Sequence, residues 1–330
     1  MVGCNSNTGN PTPPKDYKAL EIPFKARIIN PDSDPYFYET SMVQGPKAPE
    51  SITRNIIQDK NGVFWFATWE GIVSYDGKQH TNFTNKDSLR RFHMFSVYQD
   101  KNDGYWFGSI GAGLYRYDGM EWENLTSNDV LTDNQVSCFM EDTRGNLWIG
   151  TSKGVVRYDG ETYKKFSEEQ GLLHGDVNDI VEDEEGVLWF GTRDELYTFK
   201  EGKFSVFEGI NGKSLYNVRT IIRDKGDRLW MGGNNGLWVI DGDMKEQVMT
   251  DFVGYLYEDE EGNVYAAVAN GSGRNWNLMQ IESSVEHQME FISTKIIEQE
   301  GQIFGIIKGK DGVLNYGTER GVVRLTDLDE

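Results

Sequence analysis

From about residue 50 to residue 327 the chain is a succession of short apolar runs cut by polar punctuation. Val136-Ser-Cys-Phe-Met-Glu141 and Leu147-Trp-Ile-Gly-Thr151 are typical runs, and the four residues Asp142-Thr-Arg-Gly145 begin the break between them. β-branched and aromatic residues favour a pleated, half-buried strand, while a short carboxylate acceptor followed by glycine closes a tight turn, so each pair of runs predicts a hairpin. A third strand opens on glycine, as in Gly154-Val-Val-Arg-Tyr158, and an Asp159-Gly160 turn leads to a fourth, Thr162-Tyr-Lys-Lys-Phe166. The i, i+3, i+4 apolar spacing of a helix does not hold over an 11-residue window without a glycine interrupting it. The unit is therefore a four-stranded antiparallel sheet.

That unit recurs. Trp65, Trp106, Trp148, Trp189 and Trp230 follow one another at intervals of 41, 42, 41 and 41 residues, and each stands six residues after an aspartate: Asp59, Asp100, Asp142, Asp183 and Asp224. Two weaker copies complete the series, with Asp259-Glu-Glu-Gly262 leading to Tyr265 and Gly309-Lys-Asp-Gly312 leading to Asn315. A period near 40 with four strands per copy predicts an all-β chain folded as a single seven-bladed β-propeller of four-stranded antiparallel blades. The last copy stops after its third strand, Gly321-Val-Val-Arg-Leu325, so an N-terminal strand is expected to close the ring, with Tyr36 to Thr40 the candidate. Closure would remove the open sheet edges that invite aggregation. Residues 1–20 read as a flexible tether and 21–330 as the propeller, with repeats from about 50 to 327.

Composition narrows the partners. A formal charge of -20 repels phosphate backbones and anionic membrane surfaces, which makes nucleic acid an unsuitable partner. Nine tryptophans and 13% aromatic residues supply ample core, and two cysteines, Cys4 and Cys138, exclude a disulfide framework. No run of about 18 apolar residues is present to span a bilayer, so the chain as given is expected to be soluble. Met1-Val2-Gly3-Cys4 followed by a Pro, Thr and Asn-rich stretch has the small-residue-then-Cys pattern of a lipidation junction. Cys4 is accordingly the candidate lipidation site, and membrane association is expected only through such an anchor.

The pattern Asp-x-x-Gly-x-Leu-Trp-Ile/Phe-Gly-Thr-x-x-Gly-Leu/Val-x-x-Tyr-Asp, closest in residues 142–159, resembles the two-component regulator propeller repeat. The resemblance covers about residues 50–327, strongly in five copies and weakly in two. It implies an extracytoplasmic, sensor-type setting of the kind found in Bacteroidetes, and a periplasmic or cell-surface lipoprotein. The chain differs from the signalling members of that family in having no room for a kinase.

In a propeller blade the loop leading into the innermost strand and the loop between the second and third strands share one face, here called upper. Loops that vary from blade to blade on a rigid scaffold are the expected place for function. The loops before the inner strands place Arg54, Arg91, His93, Gln135, His174, Asn178, Tyr216 and Arg219 on that face. The second set adds Trp69, Arg193, Asn235, Arg274, Trp276 and Arg320. Six arginines in so acidic a chain predict a cationic centre suited to a small anionic or carbohydrate-like ligand or a peptide, with Trp69 and Trp276 free to stack on it. Arg219 is expected to be exposed. The repeated tryptophans, at fixed phase, read as packing residues.

The preferred function is a non-catalytic ligand-binding or sensor-type propeller without cofactor. A lyase-type enzyme using His93, His174, Asp176, Glu70 or Glu319 is the first alternative, since propeller active sites assemble from distant loops. A protein-protein interaction scaffold is the second. The Asp-x-x-Gly turns lack the closing Glu of a calcium loop, no His-x-x-x-His or Cys-x-x-Cys pair occurs, and no metal is expected.

Overall fold

The computed structural model describes residues 21–23, 44–45, 48–83, 93–172, 175–210, 212–271, 273–283 and 291–326. Seven antiparallel sheets follow one another along the chain, and each inner strand packs on the next, the seventh on the first. The chain is a seven-bladed propeller. The inner strands are Thr53–Gln58, Met94–Gln99, Val136–Glu141, Val177–Glu182, Val218–Arg223, Val253–Glu258 and Ile303–Lys308.

The core is seven slabs, one between each pair of neighbouring blades, because each sheet is apolar on both faces. Trp65 packs with Phe107 and Tyr115 of the second blade, Trp148 with Phe190 and Tyr197 of the fourth, and Trp230 with Val253 and Ala266 of the sixth. The seventh slab joins Ile56, Phe64 and Phe66 of the first blade to Ile307 and Val322 of the last.

The Asp and Trp of the repeat are one structural device on the lower face. In the third blade Asp142 Oδ1 accepts the backbone N–H groups of Arg144 (3.1 Å) and Asn146 (2.7 Å), closing the turn, while Oδ2 accepts Trp148 Nε1–H at 2.8 Å. Trp65, Trp106, Trp189 and Trp230 repeat that bond to the aspartate six residues earlier, and in the sixth blade the Tyr265 hydroxyl takes over at 3.2 Å. A buried indole N–H needs an acceptor, which explains the fixed interval.

Ring closure is visible at two points. The backbone N–H after several turn aspartates donates to the last inner-strand side chain of the following blade, as Thr143 to Glu182 (2.6 Å) and Lys225 to Glu258 (2.9 Å). Lys310 of the seventh blade donates in the same way to Gln58 of the first at 2.8 Å. The glycine opening the third strand also meets the last carbonyl of its outer strand, as Gly113 meets Leu125, Gly154 Phe166 and Gly236 Met249. Gly321 of the seventh blade meets Pro49 instead. The segment leading into the first blade thus passes where the outer strand of the seventh would end. Three strands of that blade are described, and the expected closing strand at Tyr36 to Thr40 lies outside the described residues. Two short N-terminal strands add elsewhere, Glu21–Pro23 to the outer edge of the third blade and Gln44–Gly45 to that of the first. Among the described residues no helix is long and apolar enough to cross a membrane.

Candidate functional site at the channel mouth

Every inner strand carries a register irregularity just after its first residue: between Thr53 and Asn55, Met94 and Ser96, Val136 and Cys138, Val177 and Asp179, Val218 and Thr220, Val253 and Tyr255, and Ile303 and Ile306. A bulge leaves one residue without a partner and turns its side chain out of the ladder. Gly305 also stands unpaired in the last blade; the released residues at the channel are Arg54, Phe95, Ser137, Asn178, Arg219, Gly254 and Phe304. All of them line one central cavity of about 520 Å³, apart from what Gly254 contributes as bare backbone. Each stands five residues before the turn aspartate, or before Gly309 in the last blade. Arg54, Asn178 and Arg219 are therefore inner-strand residues facing the channel, not residues of the surface loops.

The ring below holds the bulges together. Asn178 Nδ2–H donates to Val218 O at 2.8 Å and Ser137 Oγ–H to Val177 O. Asn55 Oδ1 accepts Val97 N–H (3.2 Å), Asp179 Oδ2 accepts Ile221 N–H (2.8 Å), and Thr220 Oγ1 accepts Leu256 N–H (3.2 Å). The first, third, fourth and fifth blades thus satisfy backbone groups beside the bulge of the next blade's inner strand. Asn55 Nδ2–H also donates to the Tyr255 hydroxyl at 3.1 Å. Burial raises the Asp179 carboxyl to about 6, a rise held back by its bonds from Ile221, Ile180 and Thr220.

Two guanidinium groups dominate the mouth. Arg54 lies between Phe304 and Phe95, its Cζ 4.4 Å and 5.1 Å from the two ring centroids. Its Nε is buried without a hydrogen-bond acceptor among the described residues. The Arg54 pKa is pulled down to about 10, first by desolvation and then by the charge of Arg219, with Glu319 opposing both. Arg219 is half-buried and donates to Asn178 Oδ1 at 3.1 Å. Desolvation lowers its pKa, the Arg193 charge adds to that, and Asp176 opposes it. The expectation that Arg219 is exposed is corrected: it is enclosed by the channel wall and bonded to it.

The remaining candidates fall around this centre. Trp69 and His93 stack face to face, centroids 4.3 Å apart and planes 3° from parallel. Arg193 pairs with Asp176 at 2.9 Å. Tyr216 is exposed, and its backbone N–H donates to Asn235 Oδ1, while Gln135 spans its loop through Asp133 and Ser152. Arg274, Trp276 and Arg320 line a second cavity of about 860 Å³ between the sixth and seventh blades. Trp276 does not stand free as a stacking platform. It is 5% exposed and edge-on to Phe252, and its ring stands 2.6 Å from where a Cβ on Gly254 would be. The indole fills the seat that glycine leaves empty in the bulge ring. Arg91, His174 and Cys4 lie outside the described residues.

Sequence reasoning missed Phe95, Ser137, Asp179, Tyr255 and Phe304. The signal was the constant offset of five and four residues before the turn aspartate. Among the described residues the channel wall carries no histidine, and no group of three His, Cys, Asp or Glu is placed to hold a metal ion.

Residues 130–153 and 171–194 match the family described as two component regulator propeller, so the third and fourth blades carry that repeat. No curated protein matches the chain. Among solved structures, the extracellular domain of a putative hybrid two component system from B. thetaiotaomicron is similar at 18% identity and a TM-score of 0.69. That match covers 84% of this chain and 39% of that one. The extracellular domain of a putative one component system from the same organism aligns at 18% identity and a TM-score of 0.67, covering 85% and 38%. A catalytically inactive virginiamycin B lyase from Staphylococcus aureus, solved with quinupristin, aligns at 13% identity and a TM-score of 0.63, covering 87% and 100%. The chain spans about two fifths of the length of the two extracellular domains. At these identities the likeness is one of fold.

Proposed function

We propose that this propeller is the non-catalytic binding module of an extracytoplasmic, sensor-type protein, and that it captures a small anionic ligand at the upper mouth of its channel. One observation carries the reading. Arg54 and Arg219 face the same cavity, each is desolvated, and the two repel each other. Half-buried like charges that Glu319 and Asp176 offset only in part are costly, and a ligand carboxylate or sulfate relieves that cost while accepting charge-assisted hydrogen bonds. The guanidinium fork suits planar, bidentate acceptors, and the Phe95 and Phe304 rings hold the Arg54 plane in place.

The sensor-type setting follows from the two component regulator propeller repeat and from the extracellular domains that share the fold. Attachment through a lipid on Cys4 belongs to the same proposal. A lyase-type centre needs a histidine and a carboxylate converging on the channel. The described wall offers Asp179 and Glu258 without a histidine, and His93 is occupied against Trp69.

The test is thermal shift of the chain against carboxylates, sulfated and neutral sugars and short peptides, repeated with Arg219→Met. A ligand at a hundred times its Kd stabilises the native state by about 2.7 kcal/mol. Stabilisation by anions, lost in the variant, is expected. Equal shifts by neutral sugars, or shifts that survive Arg219→Met, would overturn the reading.

A further inference from the structure

The cavity between the sixth and seventh blades opens beside the channel mouth, and Gln302 lines both. Its depth comes from the sixth blade, whose third and outer strands, Asn275–Ser283 and Phe291–Glu300, run 9 and 10 residues where most strands run four to six. Their ends stand above the face as a wall. On the opposite side Glu319 and Arg320 cap the hairpin of the seventh blade.

The charges of this cavity differ in kind from those of the channel. Glu319 is exposed and makes no ion pair among the described residues. The Arg320 side chain makes none either, its backbone N–H being bound to Thr318 Oγ1 at 3.1 Å. Gln299, Gln302 and Thr318 add neutral hydrogen-bonding groups to the lining. A ligand that enters both spaces meets two half-buried cations at the channel mouth and, in the second cavity, the Glu319 carboxylate, whose charge reaches Arg54. A plain carboxylate is attracted by the first and repelled by the second. A group bearing an anion and a cation a few bonds apart satisfies both.

We infer that the ligand is a zwitterion with an α-amino acid head group: its carboxylate lies on Arg54 and Arg219, its ammonium faces Glu319, and its side chain extends past Gln302 into the cavity between blades six and seven. This deepens the anion-binding reading and rests on it. Asn275 and Gln299, both already hydrogen-bonded within the wall, fix the shape of the side-chain space, and Arg320 stands at its rim. Glu319 is then the group that tells an amino acid from its des-amino acid. An unpaired ammonium acceptor rejects a ligand lacking the cation more strongly than a neutral wall would.

The experiment is calorimetric titration of the full chain at pH 7 with L-glutamine, L-alanine and L-phenylalanine, each against its des-amino acid: glutaramate, propionate and 3-phenylpropionate. At least one amino acid is expected to bind ten-fold or more tightly than its counterpart. In Glu319→Gln, that amino acid weakens while the des-amino acid strengthens, so the ratio falls to within about three-fold. Arg219→Met abolishes both. Carboxylates that bind as well as or better than the amino acids would overturn the inference and leave the anion site standing, as would a ratio unchanged in Glu319→Gln. Failure of all six to bind would overturn the inference, and retained carboxylate binding in Arg219→Met would remove the anion site as well.

Discussion

Asp179 offers a prediction whose size follows from its surroundings. Its carboxyl lies in the channel wall, accepts Ile180 N–H at 2.9 Å and Ile221 N–H at 2.8 Å, and is raised from 3.8 to about 6 by burial. A carboxyl that is harder to ionise when folded stabilises the native state while it is protonated. That stability is fully present below about pH 4 and is lost as the pH rises through 6. The difference of roughly two units corresponds to about 3 kcal/mol at 1.36 kcal/mol per unit. Replacing Asp179 by Asn removes the ionisation and leaves one side-chain oxygen to accept a backbone N–H. The unsatisfied backbone donor adds a penalty of about 1–3 kcal/mol that does not change with pH. Urea unfolding of both proteins at pH 4, 5, 6 and 7 separates the two effects. The stability of Asp179→Asn relative to the parent should climb by about 2–3 kcal/mol between pH 4 and pH 7, whatever the offset. A difference that is flat across this range, or that falls, would refute the assignment of a strained carboxylate to the channel wall.

Three further outcomes follow from the packing. Trp148→Ala should lower stability by about 3–5 kcal/mol in urea unfolding, since it empties a slab between the third and fourth blades and leaves Asp142 Oδ2 with Asn146 Nδ2–H as its remaining donor; an unchanged midpoint would remove its packing role. Gly154→Ala should cost roughly 1–3 kcal/mol, because Gly154 has φ of +126° and its Cβ would meet the Phe166 carbonyl. Gly160→Ala, at φ of +100° with nothing within 4 Å, should cost only about 1 kcal/mol, and equal losses at the two sites would show that the backbone contact is unimportant.

The repeat was legible because a single bond, indole N–H to carboxylate, recurs at the same interval in the first five blades. Trp65 through Trp230 announce it without any knowledge of the fold. The channel ring was encoded with equal regularity and went unread. Its residue types vary from Arg54 to Gly254, so no composition marks them, and only the distance to the turn aspartate is constant. Val177-Asn-Asp-Ile-Val-Glu182 held a visible hint, because two successive polar residues at 178 and 179 break a strand's alternation where the bulge lies. Trp276 was misplaced for a different reason: the space it fills belongs to Gly254, in another strand of its blade, and a local reading cannot see that seat. Arg219 was taken for a loop residue because the bulge shifts the start of the inner strand to Val218.

The central claim is that Arg54 and Arg219 together form an anion site. Crystals grown with sodium selenate and measured at the selenium edge would locate bound anions by their anomalous signal. The account predicts a peak in the channel mouth within hydrogen-bond distance of both guanidinium groups, absent in Arg54→Met/Arg219→Met. Peaks confined to outer-surface lysines, or a mouth peak that persists in the double variant, would contradict it.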